Sequence, residues 1–287
     1  MSELHEKVAV ITGSTRGFGY ATAKELLKAG ANVVISGRFQ ETVDKTVESL
    51  SSYGNVRGTV CDVMIPEQVY SLGRFSISEF GRIDIWINNA GYTPNAGSIT
   101  DFSPDEVLKT IKTNCLGVYN GTQTAMFYME KRNKGTLVNI YGRGSNLQAS
   151  SPSGLYASTK AWVTEFTRTL AQENKGSGIH IIAFSPGMML TDMLDIQAVV
   201  GDKVKESMKS MPMVLKALGT PPSIPAAELV NLISTNHKEF IEYRWMRGMR
   251  AIRMIGKLIL MQIFPKSRPP SVDYPQIEAF VPPIEDM

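Results

Sequence analysis

Two residues suited to acid–base chemistry, Tyr156 and Lys160, stand four positions apart. In a helix this spacing places both side chains on one face. A lysine ammonium beside a phenol favours the tyrosinate, so we expect the pKa of Tyr156 to fall from about 10 toward neutrality. A tyrosine tuned in this way can exchange a proton with a carbonyl or alcohol oxygen. Because the spacing also arises by chance, its meaning depends on the motifs around it.

A glycine-rich segment lies between the first apolar run of the chain and a helical pattern. It consists of Gly13, Ser14, Thr15, Arg16, Gly17, Phe18 and Gly19. Glycines allow a tight turn and a close approach of the backbone to a pyrophosphate, and the helix N-terminus attracts the anion. A purely structural turn is the alternative, but the position between a strand and a helix favours a dinucleotide-binding loop.

The residue expected beside the adenine ribose is an arginine. Folds that bind NAD often place an acid about 20 residues past the loop, where it accepts from the ribose 2′-hydroxyl. Here Arg38 stands 19 residues after Gly19, and no acid follows before Glu41. Arg38 and Arg16 can hold a 2′-phosphate by charge-assisted hydrogen bonds. We therefore expect NADPH/NADP as the cofactor, the alternative being that Arg38 is a solvated surface residue.

Short β-branched runs alternate with helical patterns along most of the chain. The runs are Val8–Thr12, Val33–Ser36, Val56–Cys61, Ile83–Asn88, Thr136–Tyr141 and Ile179–Phe184. They are apolar nearly throughout, as are strands buried on both faces of a parallel sheet. The alternation predicts an α/β, doubly wound Rossmann fold with a mostly parallel sheet of about seven strands and helices on both faces. We assign residues 1–245 to this dinucleotide-binding and catalytic domain.

Residues 246–287 are predicted to form a basic amphipathic helix and a Pro-rich tail. From His237 to Arg268 the charge is +6, against about −3 for the rest of the chain. The apolar residues that recur at helical spacing are Trp245, Met249, Ile252, Ile255, Ile259 and Ile263, while Arg247, Arg250 and Lys257 lie on a different face. Such a helix packs against another subunit or rests on an anionic membrane surface. Six prolines from Pro265 to Met287 predict an extended tail.

Composition argues against several other classes of protein. The net charge of +3 is too small to indicate a nucleic-acid partner. No run approaches the roughly 18 apolar residues of a membrane-spanning helix. Cys61 and Cys115 form no CxxC motif, and three isolated histidines offer no metal-ligand spacing. The N-terminus shows no targeting pattern. We expect a cytoplasmic protein without a metal, able to associate with a membrane through its C-terminal helix.

Further motifs fall where the predicted strands end, at the edge where cofactors bind. They are Asp62 and Val63, Asn89, Ala90 and Gly91, Asn114, and Pro186, Gly187 and Met188 with Thr191. Together with the glycine loop and the Tyr156–Lys160 pair, these motifs resemble the short-chain dehydrogenase/reductase family over about residues 6–235. The wider family is usually dimeric or tetrameric, so the resemblance also implies a homo-oligomer.

The resemblance implies a role for each motif. Asp62 and Val63 would meet the adenine, and residues 89–91 would border the cofactor. Tyr156 would be the acid/base, Lys160 would hold the nicotinamide ribose, and Asn114 would position a water in a proton relay. Residues 186–191 would flank the nicotinamide carboxamide, and residues 191–225 would form a lid.

One motif departs from the family pattern. Most members carry a serine at the end of the fifth strand, 13 residues before the tyrosine, where this chain has Arg143. The serine nearest to position 143 is Ser145, which lies 11 residues before Tyr156 and follows Gly142, Arg143 and Gly144. We expect these glycines to let the loop fold back, so that the Ser145 hydroxyl donates to the substrate oxygen. The alternative is a turn serine, with the oxygen held by Tyr156 alone.

Three segments look like those of the chlorophyll(ide) b reductases. They are the turn at residues 142–145, the segment 186–194 and the segment 241–251. Those enzymes use NADPH to reduce the 7-formyl group of chlorophyll b to hydroxymethyl. Methionines near the expected lid suit a bulky flat substrate, although ordinary packing explains them equally well. They are Met188, Met189, Met193, Met208, Met211 and Met213. The lack of a transit peptide is typical of a mature form or a bacterial homologue.

Three functions follow as hypotheses. The first is NADPH-dependent reduction of chlorophyll(ide) b or a similar bulky aldehyde. The second is the same reaction on another lipophilic carbonyl, such as a steroid, fatty acyl or polyketide ketone. The third is a scaffold that binds NADP(H) without turnover, which the displaced serine supports and the presence of Asn114, Tyr156 and Lys160 opposes.

Overall fold

The computed structural model describes residues 4–191, 198–264 and 269–283. The strands in these ranges are β1 Val8–Ile11, β2 Asn32–Gly37, β3 Val56–Val60, β4 Ile85–Asn88, β5 Ala96–Gly97, β6 Gly135–Ile140, β7 Ile179–Ser185, β8 Val199–Val200, β9 Phe240–Arg244 and β10 Gln276–Ile277. Seven of them form a parallel sheet in the order β3-β2-β1-β4-β6-β7-β9. The predicted doubly wound α/β fold is confirmed.

Helices flank this sheet on both faces. The α-helices of the described ranges are α1 Gly17–Lys28, α2 Gln40–Leu50, α3 Pro66–Phe80, α4 Pro104–Ile111, α5 Gly117–Glu130, α6 Gly154–Glu173, α7 Lys205–Met208, α8 Met211–Leu218, α9 Ser223–Thr235 and α10 Gly248–Ile263. One apolar core joins the sheet to α1 and α9 through Leu26 and Leu229. The core on the opposite face holds Leu72 of α3 and Met129 of α5. Burial on both sides fixes the strand ends that carry the site.

The order of the strands reverses between β1 and β4. From β1 the chain proceeds outward to β2 and β3, and then returns to add β4 on the other side of β1. Helices on the two sides of this point diverge, which leaves a crevice at the carboxyl ends of the two strands. The glycine loop follows β1 and the Asn89–Gly91 segment follows β4, so both reach the crevice.

A second, smaller sheet ties the C-terminal tail to the lid. Its order is β10-β8-β5, with Ile277 beside Val200 and Val200 beside Gly97. Beyond β10, the Phe280 backbone N–H donates to the Asp101 carbonyl at 3.0 Å. The described part of the tail, residues 269–283, thus lies against the region that was expected to cover the nicotinamide.

The lid shares a small apolar core with β5 and the tail. Met208 is buried there with Ala96 and Val199, and Met211 and Tyr274 pack against the cluster. Met208 and Met211 are therefore explained by ordinary packing, which was the alternative to a substrate-facing role. Met193 lies outside the described residues.

Candidate active site

Three glycines shape the loop between β1 and α1. Gly13 and Gly17 have φ values of 61° and 58°, in the left-handed region that favours glycine. A Cβ on Gly19 would lie 2.7 Å from the Gly13 carbonyl oxygen and 2.8 Å from Ser14 Cα, closer than the packing permits. The chain can therefore turn sharply here and leave its backbone exposed to a ligand.

The loop is held rigidly against the neighbouring strand. Ser14 N–H donates to the Ser36 carbonyl at 2.8 Å, and Ser14 Oγ accepts from Ser36 N–H at 2.9 Å. No side chain caps the N-terminus of α1, and its first turn has no acidic residue. Free helical N–H groups and the helix dipole then face an anion without a competing carboxylate. These features fit the pyrophosphate of a dinucleotide.

Asn89 fastens the segment after β4 to the same loop. Its Nδ2 donates to the carbonyls of Thr12 and Gly13, both at 2.9 Å. The backbone N–H groups of Asn89 and Ala90 donate to Thr12 Oγ1 at 3.0 and 3.1 Å. The structure thus joins two predicted cofactor segments, and it assigns the Asn89 side chain to holding the loop.

Both predicted phosphate-binding arginines are exposed at the β2 side of the loop. Within the described ranges Arg38 makes no ion pair, and its guanidinium lies 5.6 Å from the centre of the Phe39 ring. Asp62 follows β3 nearby, and its Oδ1 accepts from Met64 N–H at 3.0 Å. Val63 is buried next to Gly117. Arg38 can therefore turn to a ligand without breaking a salt bridge.

Asn114 links the start of α6 to the segment after β4. It lies in a π-helical turn, Lys112–Leu116, and is fully buried. Its Nδ2 donates to the Tyr92 carbonyl at 2.8 Å and to Thr159 Oγ1 at 3.0 Å, and its Oδ1 accepts from Tyr92 N–H at 2.7 Å. Thr159 Oγ1 in turn donates to the Tyr156 carbonyl. Asn114 thereby positions the helical turn that carries Tyr156.

Tyr156 and Lys160 lie on the first two turns of α6, as predicted. The Lys160 ammonium is 5.8 Å from the centre of the Tyr156 ring and donates to the Ile140 carbonyl at 2.9 Å. Lys160 is 4% exposed. The carbonyl at the end of β6 therefore holds the ammonium below the phenol, a contact that the sequence did not predict.

The pKa values in this pocket differ from the expectation for Tyr156. Burial raises the pKa of the Tyr156 phenol above its usual value of 10. Burial also lowers the pKa of Lys160 from 10.5 to about 8. The expected fall in the phenol pKa is wrong for this geometry, because loss of hydration outweighs a lysine held 5.8 Å from the ring. The phenol is thus protonated at neutral pH, the form that can donate a proton to a carbonyl.

The pKa of Lys160 predicts how stability depends on pH. A lysine with a lowered pKa in the folded state destabilises the fold below pH 8, and the penalty disappears as pH rises from about 8 to 10.5. Lys160→Met should therefore raise the unfolding free energy of the cofactor-free protein by a value on the order of 3 kcal/mol at pH 7. Urea denaturation of both proteins from pH 7 to pH 10 measures the difference. It should shrink toward pH 10, and a difference independent of pH would contradict the lowered pKa.

Gly142 lies directly against the Tyr156 phenol. A Cβ at position 142 would overlap the Tyr156 hydroxyl oxygen. Gly144 has a φ of 96°, and a Cβ there would overlap the Ala157 backbone. The residue after Tyr141 therefore approaches the catalytic helix closely because it has no side chain. Sequence spacing did not identify this role for Gly142.

The predicted glycine turn is present, but it places the Ser145 hydroxyl inward. Ser145 is fully buried, and its Oγ accepts from Gly142 N–H at 3.0 Å. Its carbonyl accepts from Arg244 at 3.0 Å and from Thr164 Oγ1 at 3.3 Å. Within the described part of the chain, Ser145 has no hydrogen bond to Tyr156. These contacts favour the alternative, a turn serine, and donation by Ser145 to a substrate stays a prediction.

Ser145→Ala separates the two roles. If the hydroxyl closes the turn, the variant loses about 1–3 kcal/mol of unfolding free energy because Gly142 N–H is left without its partner. Its kcat then falls less than about tenfold. If the hydroxyl donates to substrate, kcat falls by about 10²–10³-fold. We expect the first result, measured by urea denaturation and steady-state kinetics.

The segment after β7 closes the other side of the crevice. Gly187 has a φ of 81° and faces the Trp245 ring, which lies 3.4 Å from the position of an added Cβ. Further along, Leu190 N–H donates to the Thr220 carbonyl at 3.0 Å. Thr191 Cγ2 lies 3.5 Å from the Cβ position of Gly17. Residues 186–191 therefore extend from the core to the phosphate loop. Residues 192–194, the rest of the segment 186–194 named in the sequence analysis, lie outside the described ranges.

Comparisons with known proteins agree with this arrangement. A family model described as short chain dehydrogenase matches residues 7–198. The chlorophyll(ide) b reductase NOL of Oryza sativa subsp. japonica is 35% identical over 260 residues, covering 86% of this chain and 73% of the rice protein. The rice protein named probable chlorophyll(ide) b reductase NYC1 is 37% identical over 204 residues, covering 64% of this chain. This chain spans only 40% of the length of NYC1.

Two solved structures of reductases are also similar to this chain. A 3-ketoacyl-(acyl-carrier-protein) reductase from Brucella melitensis, complexed with NADH, has a TM-score of 0.73 and 25% identity, covering 86% of this chain and 99% of its own. A single-residue variant of actinorhodin polyketide ketoreductase with NADPH has the same TM-score and identity, covering 85% and 97%. The chain belongs to the short-chain dehydrogenase/reductase family, whose members are oxidoreductases that typically use NAD(P)H.

Proposed function

We propose that the protein is an NADPH-dependent carbonyl reductase that reduces the 7-formyl group of chlorophyll(ide) b to 7-hydroxymethyl. The match to rice NOL, which covers 86% of this chain, carries the proposal. The Gly142–Ser145 turn, which departs from the wider family, also resembles those enzymes. The coarser conclusion, an oxidoreductase of this family that reduces carbonyls, does not depend on the pigment.

The geometry supports such a reduction. A nicotinamide cofactor held by the glycine loop and by residues 186–191 would supply the hydride for the carbonyl carbon. The Tyr156 phenol, kept protonated by burial, donates a proton to the carbonyl oxygen and becomes a phenolate. Lys160 lies beneath the ring and stabilises that phenolate by its charge. Asn114 and Thr159 hold the helical turn in place, and solvent reprotonates the phenol afterwards.

The proposal that NADPH is the cofactor rests on the positively charged side chains beside the glycine loop. Arg16 and Arg38 are exposed there, and no acid occupies the position expected to bind a ribose 2′-hydroxyl. Two guanidinium groups match the geometry and charge of a 2′-phosphate. A neutral 2′-hydroxyl would interact much more weakly with these two guanidinium groups.

Another lipophilic carbonyl is the second candidate. The 3alpha-hydroxysteroid dehydrogenase of Mediterraneibacter gnavus is 33% identical over 201 residues, covering 67% of this chain and 77% of its own length. That identity is close to the 35% of rice NOL. The candidates differ in coverage, because the match to NOL includes more of the chain.

Incubation with NADPH and chlorophyllide b tests the proposal, with the 7-hydroxymethyl product identified by its absorption spectrum and mass. A 3-ketosteroid and a 3-ketoacyl thioester serve as competing substrates. The expected kcat/KM is highest for chlorophyllide b, and Tyr156→Phe should lower kcat for every substrate by about 10²–10⁴-fold. A higher kcat/KM for either competitor would contradict chlorophyllide b as the substrate but would leave the carbonyl reductase activity supported. Failure to oxidise NADPH with any of the three substrates would contradict both the substrate and the activity.

The protein is also proposed to act as a homo-oligomer through the outer face of α5 and α6. Tyr119 and Trp162 are exposed there, and Phe166 stacks on Trp162 with ring centres 4.9 Å apart. Exposed aromatic side chains in a cluster are typical of protein interfaces.

A further inference from the structure

Helix α10 presents an apolar face that the described chain does not cover. Its residues are Met249, Ile252, Ile255, Ile259 and Ile263, which are 48–64% exposed. They recur every three or four positions and so form one stripe along the helix. An exposed aliphatic stripe of four turns is unusual on a protein surface and indicates a binding surface.

The opposite face of α10 accounts for its attachment to the domain. Met261 is buried, and Met254 packs against the main core. Lys257 Nζ donates to the Lys216 carbonyl at 2.7 Å and joins α10 to the C-terminal part of α8. The helix therefore already has its intramolecular partner, and the exposed stripe points away from it.

All of the charged residues in the segment that carries the stripe are basic. Between Glu242 and Asp273 the sequence contains seven Lys and Arg and no Asp or Glu. Arg250 is paired with Glu228 at 3.2 Å, whereas Arg253, next to the stripe, makes no ion pair within the described residues. Among the residues that the structure describes, Arg253 therefore places beside the stripe a positive charge that no carboxylate pairs with.

Charge decides which partner suits this surface. In a symmetric dimer the stripe would meet its own copy, and the basic borders would approach each other without an acid between them. A bilayer with anionic lipids offers an apolar interior for the isoleucines and negative headgroups for the arginines. Among the described residues no helix is long and apolar enough to cross a membrane, so the helix would lie in the interface.

We propose that the isoleucine stripe of α10 docks the protein peripherally on an anionic lipid surface. Aliphatic side chains enter the headgroup boundary, and Arg253 with the neighbouring basic residues contacts the lipid phosphates. Because α10 packs against α8, the docked protein would hold its lid beside the bilayer. The proposal concerns binding alone and does not depend on the identity of the reduced substrate.

Flotation with lipid vesicles tests this docking. The purified full chain is mixed with vesicles of phosphatidylcholine alone, or with about one third phosphatidylglycerol. Binding is expected only to the anionic vesicles, and it should weaken strongly in about 1 M salt, where charges are screened within about 3 Å.

A matched pair of double variants identifies the surface. Ile252→Glu with Ile255→Glu places two carboxylates in the stripe and should reduce vesicle binding by about tenfold or more. Leu108→Glu with Ile111→Glu changes two exposed aliphatic residues at the same spacing on α4, and it should bind as the wild type does. Thermal unfolding and NADPH binding should be unchanged in both, because all four side chains are solvent-exposed.

Other results would overturn the proposal. Equal binding by the two double variants would place the lipid site elsewhere. Absence of binding to either kind of vesicle would exclude docking. If sedimentation shows an oligomer that only the α10 variant dissociates, and vesicles are not bound, the stripe is a subunit interface.

Discussion

Replacement of Tyr156 by phenylalanine should lower kcat for carbonyl reduction by about 10²–10⁴-fold, the usual contribution of a positioned general acid. The variant keeps the ring that covers Lys160 and removes only the hydroxyl beside Gly142. In the described residues that hydroxyl has no hydrogen-bond partner, so its loss should not weaken the fold. NADPH affinity, measured by cofactor fluorescence, should change less than about threefold.

The result separates proton donation from binding. Single-turnover oxidation of NADPH by both proteins measures the chemical step, and a parallel denaturation curve controls for folding. More than about a hundredth of the wild-type rate would mean that Tyr156 is not the general acid. A large loss of NADPH affinity would instead place the hydroxyl in cofactor binding.

Arg38→Asp should reverse the preference between the two nicotinamide cofactors. The change removes a guanidinium from the 2′-phosphate and adds a like charge, which should cost about 2–3 kcal/mol, or roughly 30- to 150-fold in NADPH affinity. NADH carries a 2′-hydroxyl, from which a carboxylate accepts a hydrogen bond, so its affinity should remain or improve.

Titration of each cofactor into both proteins measures this change. Arg74→Asp is the matched control, because it alters the net charge equally at an exposed position of α3. That variant should bind both cofactors as the wild type does. An equal loss of NADPH and NADH in Arg38→Asp would show that Arg38 does not contact the 2′-phosphate.

The fold could be predicted because its determinants are local. Six of the seven strands in the large sheet are short β-branched runs separated by helices, so topology rules leave few arrangements. The seventh, β9, has no such run and was not predicted individually. The glycine loop and the Tyr156–Lys160 pair were also predictable. A left-handed φ at Gly13 and an i,i+4 spacing depend on residues adjacent in sequence.

The parts that the sequence did not predict depend on long-range packing. The pKa of Tyr156 is governed by burial, which spacing to Lys160 cannot reveal. The inward turn of Ser145 arises because Gly142 approaches the phenol and leaves its N–H to be satisfied. The strands β5, β8 and β10 contain two residues each, too few to show any periodicity.

The pairing of β10 with β8 has a consequence for synthesis of the chain. Every strand of the large sheet precedes β10 in sequence, and the glycine loop precedes it by more than 250 residues. During translation the nucleotide pocket can thus be complete while β8 still lacks its second neighbour. We expect a nascent chain to acquire affinity for dinucleotide before it can close over a substrate, so the two capacities emerge in a fixed temporal order.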